Sequence, residues 1–451
     1  MIFAMCKEHD QVHIARLGPV LHSSVQGLGD VMRCSASWTA TATTTGQCGE
    51  GAAKMACTDN AAMPFEYCSD AAALLGRYVP FEALVTEHDV KTRGGDLIRT
   101  WRLEALCGED DGVKEALERH AGFCCLLQKL AGGRFAVWAH RTRRRCPVAG
   151  SDGPDATLEA VHPQAAARSM LEEVYLTVLV RSVPRRSPRF LRIPRKSIRT
   201  PPRCHRELLS SMSDTSLLVA DLLSELRPHL LGDYFVAGRH YSEMLEFLDF
   251  LVNGCWSRQE VIPAPLYISL ARACVAFAGE KILFRRGGQM RHAVAFGMAD
   301  CFQSHPARTR NLRLPRDWEF IETQSFSLAS ERPQDSGVAA HRQQHAALLE
   351  DAPSGTPSHY ASGDYHYSLV LFGKNAREME HRAATAAYVI GATMGPAVAL
   401  CDMSDAAWFS QWPSTWSWRA RQARSSTRAV AALSRFQALP DGHRAAADDT
   451  L

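Results

Sequence analysis

Twenty-six residues near the middle of the chain restrict its folding more than any other stretch. Arg181 to Arg206 carries ten basic side chains, five prolines and no acid. Proline at 184, 188, 194, 201 and 202 removes backbone donors and fixes φ, which denies the segment a helix interior or a central strand. A linker or long loop is expected there, with ordered structure built on either side. The whole chain has 451 residues, and at about 150 residues per domain that sets a prior of two to four domains.

Hydrophobic patterning fills in the flanks. Residues 1–69 show no sustained period and are rich in Ala, Thr, Gly and Ser, so a disordered leader is expected. Leu84–Lys91 and Leu97–Leu103 read as strands joined through Arg93-Gly94-Gly95-Asp96, a hairpin. Gly112–Leu130 has apolar residues at helical spacing, and Arg134–His140 and Val174–Val180 alternate as strands do. Beyond the linker, Leu217, Leu218, Leu222, Leu226 and Leu230 mark an amphipathic helix and Met244–Val252 another. Lys281–Phe284 and Ala293–Met298 flank Arg286-Gly287-Gly288 as a second hairpin. Trp318–Leu328 and Tyr365–Phe372 read as strands, with a helix around Val338–Leu349 between them. The sum is an α+β chain of mixed hairpins and long helices. Its expected parts are an N-terminal subdomain (70–180), the basic linker (181–206), a central domain (207–440) and a short tail (441–451).

Composition excludes several classes. Apolar residues make up 46% and the formal charge is +3, close to an ordinary globular chain and with no global drive toward nucleic acid or membrane. Fourteen cysteines without a C-x-x-C pair fit neither a disulfide scaffold nor a zinc ribbon. The opening MIFAMCKEHD lacks the apolar run of a signal peptide, which places the chain in a reducing cytosol. Ala383–Cys401 is uncharged for 19 residues, close to the length of a membrane span. It is dominated by Ala, Thr and Gly and is broken by Gly395-Pro396. A helix to about Gly391 followed by a strand from Ala397 is expected instead.

Enzyme templates find no match. A phosphate-binding loop needs G-x-x-x-x-G-K-[ST], whose backbone N–H groups cradle phosphate; the pair Gly373-Lys374 is followed by Asn375 and has Ser368 five residues before it. Val398-Ala399-Leu400-Cys401-Asp402 reads as a strand end. His341 and His345, in HRQQH, share one helix face but lack the glutamate that would act as general base. His359 and His366 read as turn histidines beside Gly363-Asp364. No catalytic, cofactor or metal residue is therefore assigned. Two non-catalytic features remain. Arg185, Arg186, Arg189, Arg192, Arg195, Lys196 and Arg199 could bind DNA phosphates or anionic lipid. Trp408, Trp412, Trp416, Trp418 and Arg419 are candidates for a partner-binding anchor, with packing on the chain's own core as the alternative.

The order of segments resembles a known family, the TrbE/CagE type, VirB-class ATPases of type IV secretion and conjugal transfer. The resemblance opens with Tyr78-Val79-Pro80, Val90-Lys91-Thr92, Gly95-Asp96 and Arg102-Leu103-Glu104. It continues through Phe135–His140 with Arg143-Arg144-Arg145, and through Tyr175-Leu176-Thr177. Its most specific run is Tyr241-Ser242, Leu245–Leu248 and Leu251-Val252-Asn253-Gly254. Glu322–Phe326, Arg342-Gln343-Gln344 and His366–Gly373 follow, and the tail matches at Trp408-Phe409, Gln411, Pro413, Trp418-Arg419, Arg421, Ser426-Thr427-Arg428, Phe436 and Pro440.

In that family a RecA-like motor domain follows the segment ending near Pro440, and eleven residues follow Pro440 here. The resemblance thus implies the amino-terminal and central part, truncated before the ATP-hydrolysing domain, with ATP and Mg belonging to the motor. The expected role is docking and oligomerisation, in the cytoplasm or held at the inner membrane through partners. Inner-membrane channel components and self-association are the implied partners. The alternatives are an anion-binding module that uses the linker on DNA or anionic membrane, and a gene remnant without function.

Overall fold

The computed structural model describes residues 6–8, 11–13, 74–104, 113–145, 170–182, 202–278, 281–286, 289–298, 314–328, 360–394, 397–400, 403–419 and 421–434. The fold is α+β, built on one antiparallel sheet of thirteen described strands. Of residues 1–69, only a short hairpin is described, β1 (Cys6–Glu8) with β2 (Gln11–His13).

The sheet begins with β3 (Phe81–Leu84), β4 (Asp89–Thr92) and β5 (Leu97–Leu103), followed by α1 (Val113–Lys129), β6 (Phe135–Arg145) and β7 (Met170–Val180). The expected hairpin forms through Arg93–Asp96, with Lys91 opposite Leu97. The strand expected over Leu84–Lys91 is broken, because Thr86 Oγ1 donates to Asp89 Oδ2 at 2.7 Å and the Val85 amide to the Asp89 carbonyl, folding a tight turn.

Helix α2 spans Pro202–Leu222, which corrects both ends of two sequence readings. The linker does not run to Arg206: Pro202 opens the helix, where a missing N–H costs nothing. Nor does it begin at Arg181, which is buried beside the sheet and donates from Nη2 to Ser327 Oγ at 2.8 Å. At its other end the helix stops eight residues before Leu230. Arg227 sits at φ 44°, ahead of Pro228, and a residue preceding proline is driven out of the helical region. A 3₁₀ turn (Ser224–Leu226) leads instead to β8 (Pro228–Leu230), which pairs with the end of β5.

Next come the hairpin β9 (Asp233–Val236) and β10 (Arg239–Ser242), α3 (Glu243–Asn253), α4 (Leu266–Ser269), β11 (Cys274–Ala278), β12 (Lys281–Arg286) and β13 (Gln289–Met298). β14 (Glu319–Leu328) and β15 (Ser362–Gly373) follow, then α5 (Ala376–Met394) and β16 (Ala397–Ala399). The chain closes with α6 (Ser404–Ser410), a 3₁₀ turn (Trp416–Trp418), β17 (Ala423–Ser426) and α7 (Thr427–Leu433). The strand order is β11-β12-β13-β15-β14-β6-β7-β5-β4-β3. The helix expected over Val338–Leu349 lies outside the described residues. Among the described residues no helix is long and apolar enough to cross a membrane.

Alternation along each strand gives the sheet two faces, and each carries its own core. On the first, Trp101, Val137, Leu176, Phe326 and Leu369 pack under α1, α2, α5 and α7. On the second, Ile98, Trp138, Tyr175, Ile321 and Phe372 pack under α3, α4 and α6. Both faces of the central strands are therefore dry, and strands buried on both sides pack as continuous interior.

Candidate functional site

The tryptophans singled out in the sequence, with Arg419, lie on a clasp, residues 403–419, that folds across the second face of the sheet. Trp408 and Trp412 have no exposed surface. Trp408 lies 4.6 Å from the Phe284 ring, and Trp412 Nε1 donates to the Leu251 carbonyl at 2.8 Å. Trp416 rests on Trp138 at 4.9 Å and Trp418 on Phe409 at 4.8 Å. Arg181 stacks over Trp416 at 4.0 Å, a contact favoured by the ring quadrupole. Arg419, 4% exposed, donates from Nη2 to the carbonyls of Ser325 and Asp364. These five candidate residues thus anchor the clasp to the chain's own sheet.

Beneath the clasp lies a polar seam. By register His140 stands opposite Thr323, Thr323 opposite Ser368, and Ser325 opposite His366. His366 is not in a turn, as the neighbouring glycine suggested; it sits mid-strand in β15 and is buried. Among the described residues neither of its ring nitrogens has a hydrogen-bond partner, and the hydroxyls of Thr323, Ser325 and Ser368 have none either. Burial, with a smaller push from Arg419, holds the imidazole pKa down at about 3. His140 Nε2 lies 2.7 Å from the Gln411 carbonyl, so Nε2 bears the proton and donates it. Burial lowers its pKa to about 4, with the Gln411 carbonyl working against the shift. Both rings are neutral at pH 7.

Sequence reasoning missed a lattice of ion pairs where β6, β7 and β14 run together. Glu172 receives Arg141 Nε and Arg143, the latter at 2.7 Å, while Arg143 Nη1 also donates to the Pro315 carbonyl at 2.6 Å. On the opposite face Glu173 accepts from Arg144 at 3.0 Å and from the Tyr175 hydroxyl at 2.8 Å. Tyr367 donates to Glu322, which Arg141 also reaches at 3.4 Å. The available signal was Arg143-Arg144-Arg145 on one strand and Glu172-Glu173 on another. Such pairs are desolvated and charge-compensated, so they position the strands.

The anion candidates Arg185, Arg186, Arg189, Arg192, Arg195, Lys196 and Arg199 lie outside the described residues, as do His341, His345 and His359. No group of three or more metal-ligating side chains occurs among the described residues. Large apolar side chains that stay in solvent include Phe235 (72% exposed), at the tip of β9–β10, and Ile262 (49%), just past the residues that pair with β10.

Fold and seam together define a packed α+β module closed by its own clasp. Residues 229–421, which span β8 to the clasp, match the CagE, TrbE, VirB family, component of type IV transporter system. Over these residues the chain is similar to that family. It is 26% identical over 405 residues to the type IV secretion system protein virB4 of Brucella suis biovar 1 (strain 1330), covering 82% of this chain and 48% of that protein. It is 24% identical over 401 residues, with the same coverages, to the type IV secretion system protein PtlC homolog of Bordetella bronchiseptica. With virB4 of Bartonella henselae the identity is 25% over 394 residues. The chain spans about half the length of the curated relatives it matches.

Proposed function

We propose that this chain acts in a type IV secretion system as a docking and assembly module. The observation that carries the reading is the family match over residues 229–421, because it covers the second half of the sheet and the clasp that closes it. The packing supports it too. Both sheet faces are filled from within the chain, which suits a rigid platform. In this reading the module contacts inner-membrane components of the channel and associates with itself, and is held at the membrane through those partners. The described residues position and do not hydrolyse nucleotide.

Capture of channel components from solubilised inner membranes by the immobilised chain tests this, run beside an ATPase assay. Specific retention of channel components with no turnover is the expected result. Retention of none of them, or ATP hydrolysis by the purified chain, would overturn the reading.

A further inference from the structure

The sheet repeats itself. Each half opens with a three-strand meander, β3-β4-β5 in one and β11-β12-β13 in the other. Between the second and third strands of each meander the sequence carries the same triplet, Arg93-Gly94-Gly95 and Arg286-Gly287-Gly288. The third strand then pairs with the last of the half, β5 with β7 and β13 with β15, while β6 and β14 lie beyond these as the innermost strands. A long helix follows on the first face, α2 or α5. After it a three-residue strand returns to the end of the meander: Pro228 faces Leu103, and Ala397 faces Met298. The next residue repeats one backbone hydrogen bond, Leu231 N–H to the Thr100 carbonyl at 3.1 Å and Leu400 N–H to the Ala295 carbonyl at 2.9 Å. A helix on the second face then completes each half, α3 or α6.

The registers fix which residues correspond. Val90 falls on Ile282 and Leu179 on Phe372, all in the second core. Trp101 falls on Phe296 and Leu176 on Leu369, all in the first. Corresponding positions thus face the same way throughout. The halves meet along β6 and β14, antiparallel from Arg143 opposite Phe320 to Ala136 opposite Ser327. Two like strands paired antiparallel are related by a twofold axis normal to the sheet, here near His140 and Thr323. That is the geometry of an isologous dimer interface.

We propose that the sheet is a tandem of two copies of one folding unit, Phe81–Asn253 and Cys274–Ser410, and that the β6-type edge is a self-recognition surface whose partner is a second copy of the unit. The β9–β10 hairpin is an insertion into the first copy, where the second runs from β16 to α6 directly. A self-complementary edge held by a connection within one chain can also be satisfied between chains, which is the physical basis of domain swapping.

Two measurements on the full chain test this. Native-state hydrogen exchange in low urea should resolve two cooperative blocks divided within residues 254–273, with the β6–β14 amides opening together with the weaker block. Refolding from denaturant at increasing protein concentration should give a species of twice the monomer mass with an unchanged far-ultraviolet spectrum. A single exchange isotherm across both halves overturns the proposal, as does refolding to monomer alone at every concentration.

Discussion

Acid should loosen the clasp, because two of the groups beneath it cannot take up protons while it is closed. His140 and His366 have their pKa values lowered from 6.5 to about 4 and about 3. A depressed histidine binds its proton in the unfolded chain and not in the native one, so native stability is intact above pH 6.5. It falls as pH drops below 6.5, down to the folded value of each ring. Going from pH 7.5 to 5.5, each ring forfeits about 1.4 kcal/mol, or about 2.7 kcal/mol for the pair, if the unfolded pKa is 6.5. His120, also lowered by burial, adds to the loss, whereas Glu246, raised by burial, opposes it. Comparison with His366→Asn cancels both of these. The variant gives up no hydrogen bond to the described residues, since neither ring nitrogen makes one there. Urea midpoints followed by tryptophan fluorescence at the two pH values provide the assay. The loss on acidification should be smaller in the variant by about 1.4 kcal/mol, or about 0.4 M in midpoint for an m-value near 3 kcal/mol/M. Equal losses in the two proteins would refute the burial of His366.

Arg419→Ala strips the buried Ser325 carbonyl and the half-buried Asp364 carbonyl of their charged donor, and is expected to cost about 2–4 kcal/mol by urea denaturation. At the far side of the sheet Arg99 pairs with Asp89 at 2.6 Å, with the carboxylate fully buried. Asp89→Asn should therefore destabilise by about 3–5 kcal/mol, and Asp89→Leu combined with Arg99→Met by clearly less in the same measurement. Gly363→Ala would set a Cβ 2.5 Å from the Ser327 carbonyl oxygen, whereas a Cβ at Gly391 meets nothing within 4 Å. The first substitution should lower Tm. The second, in the exposed part of α5, should stabilise by about 0.5–1 kcal/mol.

Both Arg-Gly-Gly hairpins were legible, because turn chemistry and strand alternation agreed there. So was the helix-then-strand reading of Ala383–Cys401, realised as α5 and β16. What escaped were elements whose local chemistry runs against their tertiary setting. β6 was read as ending at His140, yet it continues to Arg145. Four arginines look like a solvated stretch until Glu172 and Glu173 arrive opposite them on β7. The leucine period of α2 carried past its true end, because Leu226 is buried by a 3₁₀ turn and Leu230 half-buried by a strand rather than by more helix. His366 looked like a turn residue beside a glycine, since nothing local announces that Ser325 and the clasp will cover it.

The tryptophan–arginine cluster admits two readings from the sequence, a partner-binding anchor or packing on the chain's own core. Aromatic rings with arginine are the signature of a binding hot spot, and Trp408, Trp412, Trp416, Trp418 and Arg419 carry it. They also behave as one would: they fill apolar gaps, stack under a guanidinium and satisfy backbone carbonyls across a seam. The partner they grip, however, is the chain's own sheet. Trp412, in the clasp, holds the Leu251 carbonyl of α3, and Trp416 rests on Trp138 of β6. A surface joining the clasp to the sheet has the same task as a surface joining two proteins. It must exclude water and fix orientation, and so it recruits the same side chains. The contacts that Trp408, Trp412, Trp416, Trp418 and Arg419 make lie inside the molecule, on the sheet and its helices.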